Sequence, residues 1–147
     1  MRATRIVVLA AGVLWASQIH AQGLRTLSAK PAPAGTTICG SAIPQPRTLP
    51  PQGSGPVVYL IAPCPTSRGA RVPTQDRYLQ DIQLKPSQPS RGLWTPFDEA
   101  VGQVILADFE RLWKNHSLQD LSVDVRDYPF SNGVVGKLVI YNIAEQN

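Results

Sequence analysis

Hydrophobic positions along the chain change rhythm several times, and each rhythm predicts an element. Val101, Val104, Ile105, Phe109, Leu112 and Trp113 fall at offsets 0, 3, 4, 8, 11 and 12, one continuous stripe on a helix. Gln103, Asp108, Glu110, Arg111 and Lys114 take the other faces. Thr95 followed by Pro96 offers an N-cap with Pro at the first helical position, and Asp98 and Glu99 then sit where the helix dipole favours acids. Asn115-His116-Ser117 ends this helix. Leu121, Val123 and Val125 alternate with Ser122, Asp124 and Arg126, the period of a half-buried strand. Residues 134–143 are apolar in both phases, which predicts a central strand. Asn132-Gly133 supplies the positive backbone angles of the hairpin turn between the two. Upstream, Tyr78, Leu79, Ile82 and Leu84 predict a first strand ending at Lys85-Pro86, and residues 87–92 a turn-rich connection.

The remaining half reads differently. Arg2 and Arg5 precede an apolar run over 6–16, and Ile19-His20-Ala21 fits a signal-peptidase site, so residues 1–21 are expected to be a signal peptide cleaved after Ala21. Eleven apolar residues are too few to cross a bilayer core of about 30 Å. Ten of the 14 prolines lie in 22–75, which predicts a mostly extended, disordered leader. One apolar run at 57–62 is either a strand or a sticky patch. Cys39 and Cys64 are the only cysteines; in an exported chain they fit one structural disulfide, worth roughly 3 kcal/mol on the chain-entropy model. No C-x-x-C spacing points to redox chemistry.

Charge changes the picture only after it is placed. The net +4 includes two arginines of the expected signal, and 22–75 holds five basic residues with no acid. Residues 76–147 hold seven basic against ten acidic residues. The basic balance therefore belongs to the leader, without aromatic interleaving, which argues against nucleic acid as partner. The resulting organisation is a signal at 1–21, a proline-rich basic leader at 22–75 and a compact α+β domain at 76–147. In that domain a three-stranded sheet is covered on one face by helices.

No catalytic or metal set stands out. His116 has no second ligand at metal spacing and reads as a surface residue closing the helix. Asp98 with Glu99 reads as capping, and Asp108 with Glu110 as the polar side of the helix. Ser90, Ser117, Ser122 and Ser131 lack a companion base, and neither a P-loop nor a dinucleotide fingerprint occurs. Trp113 reads as core; Trp94 stays open between core and ligand stacking. The expectation is a protein that is not an enzyme and needs no cofactor.

The order strand, helical segment, strand, strand carries a resemblance. Phe109-Glu110-Arg111-Leu112-Trp113-Lys114, then Leu118-Gln119-Asp120-Leu121-Ser122-Val123-Asp124-Val125, then Ser131-Asn132-Gly133-Val134-Val135-Gly136-Lys137-Leu138-Val139-Ile140-Tyr141-Asn142 resemble the POTRA module of BamA-type outer-membrane protein assembly factors. The likeness covers 76–147. It implies a βααββ fold, a periplasmic location at the inner side of the outer membrane, and binding of unfolded outer-membrane protein chains or assembly subunits by β-augmentation. The strand Leu121, Ser122, Val123, Asp124, Val125 and Arg126 is then the edge that pairs with the client. The family's two helices are met here by one long helical pattern, which places a short first helix near 94–99. Family members continue into further modules and a membrane barrel, whereas this sequence stops at Asn147. That departure implies a fragment or a stand-alone module reaching the membrane only through a partner or a missing barrel. The rival reading is a secreted envelope scaffold that uses the basic proline-rich segment.

Overall fold

The computed structural model describes residues 37–67 and 73–146. The expected signal peptide, its cleavage after Ala21 and the first part of the leader lie outside those residues. In chain order the elements are β1 (Thr37–Ile38), β2 (Ser41–Ala42), β3 (Val57–Thr66), α1 (Asp76–Leu79), a 3-10 turn (Pro89–Arg91), β4 (Thr95–Pro96), α2 (Glu99–Asn115), β5 (Leu118–Pro129) and β6 (Val135–Glu145). β4, β3, β6 and β5 form one mixed sheet in that order, while β1 and β2 make a separate two-stranded ribbon. β3 runs parallel to β6, and β5 pairs antiparallel with β6. The architecture is α+β, with a four-stranded sheet rather than the three strands expected.

The hairpin forms for the reasons its sequence gives. Gly133 has φ +87°, the Asn132 side-chain oxygen accepts from Val134 N–H at 3.2 Å, and Phe130 N–H donates to Val134 C=O at 2.9 Å. β6 is central and apolar on both faces because both are covered. Val139, Tyr141 and Ile143 face a core with Val58, Tyr78, Leu84, Val101, Leu112 and Leu121. Leu138 and Ile140 face a second core with Ile38, Tyr59, Tyr128 and Phe130. The helices lie on the first face, and the segment containing β1 and β2 closes the second. Gln45 Nε2 donates to Tyr128 Oη, and Tyr59 Oη to Pro44 C=O. Cys39 and Cys64 are disulfide-bonded, tying the β1–β2 ribbon to β3.

Several expectations are corrected. The first strand is β3, inside the segment expected to be a mostly disordered leader. The apolar run at 57–62, open between a strand and a sticky patch, is this strand, and it continues through Pro63 and Pro65, paired with Tyr141 and Ile143. The stretch expected as a strand is instead α1 followed by an extended connection over 80–87. Tyr78, Ile82 and Leu84 are still core residues. Their backbone is taken up elsewhere, since Gln83 and Leu84 N–H donate to the Asp108 carboxylate and Ser87 N–H donates to Val58 C=O. The short helix therefore precedes the place expected for it. α2 starts one turn later than expected: Asp98 is the N-cap, its Oδ1 accepting from Val101 N–H at 3.1 Å. Thr95 and Pro96 pair with Val58 and Val57 instead.

Candidate functional site: the free edge of the sheet

Among the described residues β5 has a neighbour on one side only, so its other side presents backbone groups that none of them pairs. Which residues present them follows from alternation. Phe130 N–H bonds Val134 across the hairpin end, so Tyr128, Arg126, Asp124 and Ser122 also turn their backbone toward β6. Leu121, Val123, Val125, Asp127 and Pro129 turn theirs outward. A second observation agrees: Leu121 N–H is met by its neighbour's side chain, Asp120 Oδ1, at 2.9 Å. Pro129 has no N–H. The outward donors left unengaged are those of Val123, Val125 and Asp127, bounded by a capped residue at one end and a proline at the other.

The side chains on this edge are sorted by face. Leu121 is buried and Val123 partly buried under the helix layer, whereas Val125 is 42% exposed on the same face. On the opposite face Asn142 Nδ2 donates to Asp124 Oδ2 at 2.9 Å and contacts Ser122 Oγ at 3.4 Å. Asp127 is held by Lys137, whose ammonium also lies 5.6 Å from the Phe97 ring centre. Arg126 has no hydrogen bond or ion pair among the described residues. All six residues expected at the binding edge, Leu121 through Arg126, thus lie on β5, which extends further at both ends.

α2 covers the same face of the sheet and leaves apolar side chains exposed. Its buried side is Val101, Asp108 and Leu112, with Val104 and Ile105 packed against the core. One flank, carrying Arg111 and Asn115, bonds Asp81 and so faces the connection that runs to β3. On the opposite flank Phe109 packs against the core, while Leu106 and Trp113 turn to the solvent side of α2. Leu106 is 59% exposed and Trp113 49%, with the Trp113 and Phe109 rings stacked at 6.5 Å. Trp113 was expected in the core. The inward stripe instead centres on Asp108, which turns Trp113 outward.

Asp108, expected on the polar side, is completely buried and saturated. Its carboxylate accepts from Gln83 N–H at 2.8 Å, Leu84 N–H at 2.9 Å, Arg111 Nη1 at 2.7 Å and Tyr141 Oη at 3.3 Å. Burial, then the neighbouring Asp108 charge, push the Tyr141 hydroxyl pKa well up. With every site filled by structural donors, this carboxylate has none left for a substrate. His116, expected at the surface, has a side chain only 7% exposed, lies 2.7 Å from Asp81 and packs on the Tyr78 ring at 4.9 Å. Burial alone would raise the Asp81 pKa. Hydrogen bonds from Asn115 and His116 and the charges of His116 and Arg111 outweigh it and hold the carboxyl below its usual range. Tyr78 Oη donates to Glu145, which also pairs with Arg77 at 3.1 Å. Trp94 packs edge-on against Phe130 in the second core. These polar pairs fasten α1 and the following connection to the domain.

Among the described residues no group of three or more His, Cys, Asp or Glu side chains is placed to hold a metal, and no helix is long and apolar enough to cross a membrane. The described residues form an α+β domain whose sheet ends in β5 with its outer side unpaired among them. No family model, curated protein or solved structure gives a significant match to the chain.

Proposed function

We propose that this chain is an exported, POTRA-like polypeptide-binding module that captures extended segments of unfolded outer-membrane proteins, or of assembly subunits, by β-augmentation on β5. The observation that carries the reading is the run of outward donors at Val123, Val125 and Asp127 that no described residue engages, beside the exposed Val125 side chain. Backbone pairing is indifferent to the client's sequence, which suits a binder of many clients. An incoming strand places alternate side chains on the helix face beside Val123 and Val125, which favours segments with apolar residues at every second position. The signal-like N-terminus and the Cys39–Cys64 bridge support an oxidising, extracytoplasmic location. No side-chain catalysis is required.

The rival scaffold reading gave the whole segment 22–75 to surface binding, whereas residues 57–66 of it are spent on the sheet. The test is titration of a synthetic strand peptide with alternating apolar residues, followed by Trp113 fluorescence. Val123→Pro removes an outward donor while sparing the pairing with β6, so affinity is expected to fall roughly tenfold with the thermal midpoint little changed. Unchanged peptide affinity in a folded Val123→Pro variant overturns the mechanism.

A further inference from the structure

We infer that, when no client is bound, β5 closes against β5 of a second copy across a two-fold axis at Val125. This deepens the proposed function, because it rests on the same open edge and says what covers it at rest. A two-fold axis perpendicular to the sheet keeps both helix layers on one side, so a residue must face another of the same parity. Outward backbone groups are free only at Val123, Val125 and Asp127, between the capped Leu121 and Pro129. A register centred on Val125 sets Val123 opposite Asp127 of the second copy, Val125 opposite its equivalent and Asp127 opposite Val123. All the free donors then find carbonyls.

The same register pairs opposite charges on one face. On the face away from the helices it places Asp124 opposite Arg126 of the second copy, twice, and Arg126 has no partner in its own chain among the described residues. On the helix face the exposed Val125 meets its equivalent, and the exposed Leu106 and Trp113 of both copies lie on the same side of the joined sheet. Neighbouring registers do worse. Centres at Asp124 or Arg126 put like charges face to face on the axis. A centre at Val123 sets Val125 opposite Leu121, whose N–H is already engaged by Asp120.

Sedimentation equilibrium of the disulfide-intact protein, from micromolar to millimolar concentration, tests this with a charge swap. Asp124→Arg and Arg126→Asp are each expected to weaken self-association roughly tenfold, because each turns two attractive cross-strand pairs into repulsive ones. Mixing the two variants is expected to restore a heterodimer, since each then opposes the other's charge at both pairs. Both side chains are exposed, and an unchanged thermal midpoint confirms that each variant is folded. A wild type that stays monomeric at millimolar concentration, or variants that associate as tightly as wild type and gain nothing on mixing, overturns the inference. The client reading fails separately. A monomeric protein whose peptide binding is lost in Val123→Pro keeps that reading and rejects the dimer, whereas a dimer that strand peptides never dissociate does the reverse.

Discussion

Replacing Asp108 by Ala isolates what the buried carboxylate does. The side chain is fully buried and gathers four donors: two backbone N–H groups from the connection after α1, the Arg111 guanidinium and the Tyr141 hydroxyl. Removing it strands the Gln83 and Leu84 N–H groups, each costing about 1 to 3 kcal/mol when left buried without a partner. It also leaves Arg111, about one-third exposed, without its counter-charge. The total is about 3 to 5 kcal/mol, the range for breaking a buried ion pair from one side. Against a domain stability of about 5 to 15 kcal/mol this is a large fraction. At about 4 to 8 °C per kcal/mol, the thermal midpoint is expected to fall by roughly 12 to 40 °C. Asp98→Ala is the internal comparison: it removes one exposed helix cap and is expected to cost about 1 kcal/mol. Urea unfolding followed by far-ultraviolet circular dichroism measures both. If the two variants lie within 1 kcal/mol of each other, the carboxylate is not the clamp the geometry describes. Asp108→Asn keeps an acceptor oxygen and is expected to fall between them.

Three further outcomes follow from the same geometry. A Cβ on Gly136 would lie 2.9 Å from the buried Phe130 ring and 3.0 Å from Tyr128 C=O, so Gly136→Ala is expected to destabilise by about 1 to 3 kcal/mol in urea unfolding. Reducing the Cys39–Cys64 bridge, or replacing both by Ser, is expected to cost roughly 3 kcal/mol and loosen the segment over the second core, seen as faster amide exchange at Ile38 and Tyr59. Burial, with the neighbouring Tyr128, pushes the Tyr59 hydroxyl up to about 12, and burial also raises Tyr78 and Tyr141. Their contribution is therefore intact below the unfolded value of about 10 and lost as pH rises through the folded values, which urea midpoints between pH 9 and about 12 will follow.

The elements legible in the sequence were those with a clean period. β5, β6, their turn and most of α2 follow directly from alternation, Asn132-Gly133 and the 3.6-residue stripe. β3 was legible only as a possible strand at 57–62: Pro63 and Pro65 resemble linker residues, and a sequence does not say that both point their missing N–H away from β6. Asp108 was hidden because a carboxylate reads as solvent-facing. The usable signal was position: at offset 7 it completes the row Val101, Val104, Ile105 and Leu112, while Trp113 at offset 12 has already rotated off it. His116 was misplaced for a related reason, since its burial depends on Asp81 and Tyr78, 35 and 38 residues away, packing over the end of α2. The six residues expected at the binding edge lie on β5, the last strand of the sheet, and only the backbone alternation shows which of them turn donors outward.

The two edges of the sheet are treated oppositely, and the difference bears on function. On the β3 side, Val58 C=O is taken by Ser87 N–H. The bulge at Tyr59 then shifts the alternation so that Ile61, Pro63 and Pro65 face outward. Two of those three have no N–H to offer, β4 covers the start of the strand, and Cys39 Sγ sits 3.5 Å from Pro63 C=O. Such an edge cannot template another strand. β5 carries no proline until its last residue, and its outward backbone from Val123 to Asp127 is unobstructed. An open edge of this length invites aggregation, and proteins usually blunt it. Here the blunting is partial: Asp124 and Arg126 charge one face of the edge, while on the other Asp127 follows the apolar Leu121, Val123 and Val125. A strand with an apolar side toward α2 is admitted, and one that would set unmatched charge against Asp124 and Arg126 is penalised, which is selectivity by face rather than by sequence.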